Sequence, residues 1–197
     1  MTAARLLRVR SRSSLLIDRL VQALWREDGD GQDPEVLLLL DGARDRSIQS
    51  LIRRSKLDHR CLFLGDLHPV LARAAPYLVQ LGRRSPASRR LIEQVWGRNW
   101  GVFVRSPAIL QDLRRHFRRF LQVRNEAGKR LLFRFYDPRV LAAYLPTCNR
   151  NELSYVFGPV DRFALEGESG STLCELSLEQ GELEQQSLQL STELAAC

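Results

Sequence analysis

The chain has 197 residues, 44% of them hydrophobic and 27% charged, with a formal net charge of +7 at pH 7. That length fits one domain with its own core, and no apolar run approaches the ~20 residues that a membrane-crossing helix needs. The cysteines at 61, 148, 174 and 197 show no CxxC spacing and no grouping with histidine, which argues against a zinc site or thioredoxin-like chemistry and fits a reducing compartment.

The elements follow in chain order. Residues 1–35 form a basic arm and a helix. After Arg5, Arg8, Arg10 and Arg12, Ser13 or Ser14 is placed to cap a helix reaching about Trp25, with Leu16, Leu20, Val21 and Leu24 at helical spacing. Asp18 and Arg19 cut the apolar stretch behind the arginines, so no secretory leader is expected. Residues 28–34 read as a loop. Val36 to Leu40 is a continuous apolar strand, which predicts burial on both faces. A helix over 45–55, a strand over 62–64, a helix over 66–74 and a strand over 77–81 come next. Ser85-Pro86 opens a helix with Leu91, Ile92, Val95 and Trp96 on its apolar stripe, and 100–104 is a strand. Ser106-Pro107 reads as a helix start, serine as cap and proline in the first turn. Leu110, Leu113, Phe117 and Phe120 or Leu121 mark its buried face.

A hairpin is expected from 121–124 and 130–136, with Leu131, Phe133 and Phe135 on one face and Leu132, Arg134 and Tyr136 on the other. Asp137 caps a helix beginning at Pro138 and running through Tyr144. Asn149 or Asn151 caps a short helix to Val156, and 162–165 is a strand. The fold class is α/β, a mixed β-sheet with flanking helices, in a single domain over 36–165 followed by an acidic C-terminal tail, 166–197. Cys174, Leu176, Leu178, Leu188 and Leu190 alternate around Gln180-Gly181, so the tail is either a weak hairpin or an acidic mobile segment.

Charge is unevenly placed. All 30 basic residues, 28 of them arginine, lie in residues 1–165 with 16 acids, a formal +14, and residues 166–197 hold seven acids and no base. The basic body suggests an acidic partner, and the acidic tail would occupy the same basic surface when no partner is present, as an autoinhibitory clamp. Arg114, Arg115, Arg118 and Arg119 read in three ways: a solvated helix face with pairs such as Asp112 with His116, a surface that docks acidic protein, or a comb for phosphates. No helix-turn-helix, zinc-finger or RNA-recognition pattern accompanies the last. Asp137 beside Arg134 and Arg139 reads as a helix cap bridged by an arginine. A catalytic alternative makes Asp137 a base and Arg134 an oxyanion clamp, but no nucleophile or metal partner stands nearby in sequence. His59, His68 and His116 are scattered and no metal pair at i, i+4 is formed.

Five runs stand in order: Leu40-Asp41-Gly42-Ala43, Ala75-Pro76-Tyr77-Leu78-Val79, Trp100-Gly101-Val102-Phe103, residues 113–138 continuing through Arg134-Phe135-Tyr136-Asp137-Pro138-Arg139-Val140, and Phe157-Gly158-Pro159-Val160. In these the chain resembles the type VI secretion effector chaperone, or adaptor, family, also catalogued as domain of unknown function 4123. The resemblance implies a cytoplasmic bacterial carrier that holds a toxic effector protein and delivers it to the secretion spike (VgrG/PAAR). It implies no catalysis, cofactor, metal, membrane or nucleic-acid partner. The candidate partner contacts are Arg114, Arg115, Arg118, Arg119, Arg134, Tyr136, Arg139 and Phe157. Asp41, Pro76, Tyr77, Trp100, Asp137, Pro138, Gly158 and Pro159 are the fold-shaping positions. The alternatives are an arginine-rich nucleic-acid binder and a small hydrolase near Asp41 and Asp137.

Overall fold

The computed structural model describes residues 12–26, 34–124, 127–167 and 170–191. The basic arm before residue 12 and most of the 28–34 loop lie outside them. Helix α1 (Arg12–Leu24) leads to β1 (Glu35–Asp41), an interior strand of the main sheet. Then come α2 (Ile48–Ser55), β2 (His59–Cys61), α3 (Pro69–Ala74), β3 (Pro76–Leu81), α4 (Pro86–Val95), β4 (Gly101–Ser106) and α5 (Leu110–Arg118). A small hairpin, β5 (Gln122–Arg124) and β6 (Arg130–Leu132), precedes α6 (Pro138–Tyr144), α7 (Arg150–Phe157), β7 (Arg162–Glu166), β8 (Thr172–Glu179) and β9 (Glu182–Gln189).

Seven strands form one sheet in the order β2-β3-β1-β4-β7-β8-β9, and β5 and β6 pair apart from it. The α/β class holds, but the sheet is not mixed as expected: each pairing within it is antiparallel, because the chain returns beside the strand it left with reversed direction. Leu38 of β1 faces Val79 on one side and Phe103 on the other. Successive side chains of β1 point to opposite faces. Val36, Leu38 and Leu40 therefore pack with Leu20 of α1, Ile52 of α2 and Ile92 of α4. Leu37 and Leu39 pack with Phe117 of α5, Leu141 of α6 and Val156 of α7. This three-layer arrangement explains why β1 is apolar without alternation. No described helix is long and apolar enough to cross a membrane.

Several boundaries differ from expectation for physical reasons. The strand expected at 62–64 lies at His59–Cys61, and its pairing continues one bond further, Leu62 N–H donating to the Pro76 carbonyl at 3.0 Å. Ser106 does not cap a helix. It is the buried last residue of β4, and its hydroxyl donates to the Pro159 carbonyl at 2.5 Å while accepting from Ala108 N–H at 3.0 Å. α5 starts instead after Ile109, with no side-chain cap. The second hairpin strand stops at Leu132, so the expected alternation ends there. The backbone turns, Asp137 N–H donating to the Arg134 carbonyl at 2.9 Å, and both Phe135 and Tyr136 enter the core.

Local signals held elsewhere. Ser85 accepts from Ser88 N–H at the start of α4, and Asn149 and Glu152 form a reciprocal capping box on α7.

Residues 172–189 form a hairpin turning at Gln180-Gly181, and it supplies two strands of the main sheet. Its apolar residues enter both cores: Leu173 and Leu190 on one face, Leu176 on the other. Arg19 of α1 donates to the Leu190 carbonyl at 3.1 Å. Buried Glu175 accepts from Arg26 at 3.0 Å and from Arg162 at 2.9 Å. This corrects the picture of a detachable clamp, because removing the segment strips a covered sheet and orphans the pairing of β7. Leu176→Ala is expected to lower unfolding free energy by about 2–4 kcal/mol. Urea melts of the two proteins check this, and a loss below about 0.5 kcal/mol would mean that β8 does not hold the core.

Candidate functional site

Four of the five motif runs meet at the end of β1. Asp41 is fully buried. One carboxylate oxygen accepts from Ala43 N–H at 3.0 Å and the other is paired with the Arg134 guanidinium. Asp41 N–H donates to the Trp100 carbonyl at 2.9 Å, and Gly42 N–H to the Ala75 carbonyl at 3.1 Å. A Cβ at position 42 would lie 2.5 Å from the carbonyl oxygens of both Ala75 and Arg73, so only glycine fits this approach. Pro76 begins β3 here. Tyr77 anchors the crossing, its hydroxyl donating to the Ala72 carbonyl at 2.7 Å. Trp100 is buried, with the Arg98 guanidinium 4.7 Å from its ring centre.

Asp137 sits beside this node. It caps α6 by accepting from Arg139 N–H at 3.1 Å, with Pro138 in the first turn. The Arg139 side chain grips the same carboxylate with two bonds, at 3.0 and 2.6 Å. Burial pushes the Asp137 carboxyl up, but the Arg139 side-chain and backbone bonds and the charges of Arg139 and Arg44 outweigh it and hold the group below its ordinary range. The expected bridge to Asp137 thus comes from Arg139, and Arg134 serves Asp41. Burial, with Asp41 adding to it, pushes the Tyr136 phenol up to about 12. Tyr136 and Phe157 were expected on a partner surface. Both are in the core, because a large ring that can be enclosed by β-sheet and helices gains by leaving water.

The fifth run closes the opposite layer. Gly158 has φ +49°, and a Cβ there would sit 2.4 Å from His116 Cε1. His116 is buried, its Nε2 within 2.8 Å of the Val156 carbonyl and its Nδ1 within 2.9 Å of Arg119 Nη2. An arginine can only donate, so Nδ1 accepts and Nε2 carries the proton. Burial lowers the His116 pKa against the Val156 bond, and the Arg119 charge lowers it further. His116 is therefore a neutral linker between α5 and α7. The expected pairing with Asp112 does not form, and Asp112 meets Arg115 at 3.4 Å.

The arginines of α5 divide by task. Arg114 donates to the Cys61 carbonyl at 2.8 Å and ties the helix to the sheet edge. Arg119 also lies 5.3 Å from the Tyr155 ring centre. Arg118 has no ion-pair or hydrogen-bond partner among the described residues. Three of the four, Arg114, Arg115 and Arg119, thus have partners within the fold, which leaves a poor comb for phosphates. Both node carboxylates are held by guanidiniums. Burial raises the Cys61 thiol, which makes it a weak nucleophile. No group of three or more His, Cys, Asp or Glu that could hold a metal occurs among the described residues.

Sequence reasoning missed a groove of about 680 Å³ between the 62–71 segment on one side and the end of α5 with the β5–β6 hairpin on the other. Leu62 and Leu121 form its floor, Leu64, Leu71 and Leu132 its exposed apolar walls, and Arg118 and Arg119 its charged side. Its only sequence signal is the leucine-rich run from Leu62 to Leu71, which reads locally as a strand and a helix.

The node generates a pH prediction. Asp137 is depressed in the fold relative to an ordinary 3.8, so its contribution is complete above about pH 4 and is lost as pH falls through the lower folded value. Asp137→Asn keeps a cap acceptor and loses the charge. The stability gap between wild type and Asp137→Asn, measured by thermal melts from pH 7 to 3, should be widest above pH 4 and close below it. A gap independent of pH would contradict this.

Comparison with curated proteins and with solved structures gives no match. A family model described as "Domain of unknown function (DUF4123)" matches residues 36–155, from β1 into α7. The chain belongs to the DUF4123 family.

Proposed function

We propose that this chain is a cytoplasmic bacterial carrier that binds a cognate type VI secretion effector, keeps it soluble and helps load it onto the secretion spike, without covalent chemistry. The observation that carries the reading is the set of five ordered motif runs resembling the effector chaperones, four of which converge on the Asp41 node. Two features of the site support it. The node's acid groups are committed to arginine partners, so the most distinctive run, residues 134–140, acts as scaffold. Beside that scaffold lies an open apolar groove, and large exposed apolar side chains gathered in one cleft mark protein-contact surface in soluble chains.

The mechanism is mass action. A carrier that binds a folded or partly folded effector state stabilises it by about 2.7 kcal/mol when the free carrier stands at a hundredfold excess over the dissociation constant. Such a contact needs roughly 1,000 Å² of buried surface.

The test is affinity capture of the tagged full chain from its native cytoplasm in moderate salt with nuclease present. One large toxin-like protein, with or without a spike protein, is expected in near-equal amount. Loss of all bound material on nuclease treatment would replace the carrier with a nucleic-acid binder, and retention of nothing under either condition would remove the carrier reading.

A further inference from the structure

The groove beside α5 has a chemistry that selects its occupant. Leu64 is 64% exposed, Leu71 47% and Leu132 48%, and they face one another across a floor of Leu62 and Leu121. Water gains nothing by lying against them, so burial of this surface by an apolar partner is favourable. Among the described residues the lining contains two arginines and no carboxylate. Arg118 is the unspent member of the α5 row. Its guanidinium finds no acid within the described fold, while the other arginines of the row each have a partner. A small metabolite would need several convergent polar groups for orientation, and among the described residues Gln122 is the one uncharged polar side chain of the lining. A basic occupant would face like charge. A protein segment with leucine-like residues on one side and carboxylates beside them satisfies both features at once.

We propose that this groove seats an amphipathic segment of the carried protein, apolar side chains entering between Leu64, Leu71 and Leu132, and Asp or Glu side chains meeting Arg118 and Arg119. The assignment rests on the carrier reading for the origin of the segment. The mode is helix-in-groove recognition, anchored at i, i+3, i+4 and i+7. Charge at the rim sets orientation and the rate of encounter, and apolar contact holds the segment in place.

The probe is a labelled synthetic peptide of about 14 residues, leucine at those four spacings and glutamate flanking them, with a twin in which lysine replaces each glutamate. Anisotropy titrations use the full chain and the variants Leu132→Asp and Arg118→Glu, each checked for an unchanged melt. The glutamate peptide is expected to bind the wild type about tenfold tighter than the lysine twin, and each variant to weaken it about tenfold. Arg118→Glu should also narrow or reverse the preference between the twins. The peptide twins need no variant, so charge selection is read even where a variant folds poorly.

Equal binding of the twins, no binding of the glutamate peptide, or indifference to Leu132→Asp would overturn the proposal. So would Leu132-dependent binding to phosphatidylglycerol vesicles with the peptide idle, which would make the groove a membrane contact. Leu132-dependent self-association of the chain would equally assign it to a second copy. The captured partner separates the two levels. A partner that binds but does not compete with the peptide sinks the groove assignment and leaves the carrier reading standing. A peptide that binds as expected, with no partner captured, upholds the groove and sinks the carrier.

Discussion

A carboxylate cut off from water fixes the centre of this molecule. Asp41 ends a strand that has sheet neighbours on both sides and helices on both faces, so its charge has only protein to turn to. An unpaired charge in such a place would cost several kcal/mol. Arg134, 93 residues further along, answers it together with the Ala43 N–H. That pairing has consequences along the chain. With Arg134 anchored, the next residues turn inward, Tyr136 is enclosed, and Asp137 is delivered to the start of α6. The β5–β6 hairpin then hangs from a fixed point, and that hairpin is one wall of the groove. Scaffold and candidate contact surface are thus coupled through one ion pair.

Much of the frame could be read from residue order. The apolar run of β1 announced burial on both faces, and Ser85, Asp137 and Asn149 announced helix starts that form as expected, because caps are decided by atoms within three residues. The failures share a cause: each was decided by a distant partner. Ser106 has every local mark of a cap, yet the Pro159 carbonyl takes its hydroxyl and keeps the residue in β4. Phe133 to Tyr136 alternate as a strand should, yet the demand of Asp41 for Arg134 turns the chain. The choice of Arg139 for Asp137 and Arg134 for Asp41 could not be read from four neighbouring charges, because it depends on where β1 ends.

The candidate site was less legible than the fold for a geometric reason. The groove is assembled from the segment after β2, the end of α5 and both strands of a small hairpin, pieces separated by about fifty residues of intervening structure. Each piece in isolation is an ordinary amphipathic stretch. Leu64, Leu71 and Leu132 become unusual only when the fold leaves them facing each other without a covering element. The arginine row was visible, but which member stays unspent depends on Cys61, Asp112 and His116, two of which lie on the same helix and one across the layer.

The acidic segment changes meaning once its strands are placed. Glu175 is consumed inside, between Arg26 and Arg162, so part of the segment's charge neutralises the body it packs on. Glu182 and Glu184 stay on the outermost strand, β9, at the edge of the sheet opposite β2. Six strand spacings separate those edges, about 30 Å, while charges in physiological salt are screened over about 8 Å. Glu182 and Glu184 therefore do not shield the arginines that flank the groove beside β2. The hairpin on which those two acids lie therefore does not compete for the groove, and selectivity is set within a screening length of it, where Arg118 and Arg119 flank its leucines.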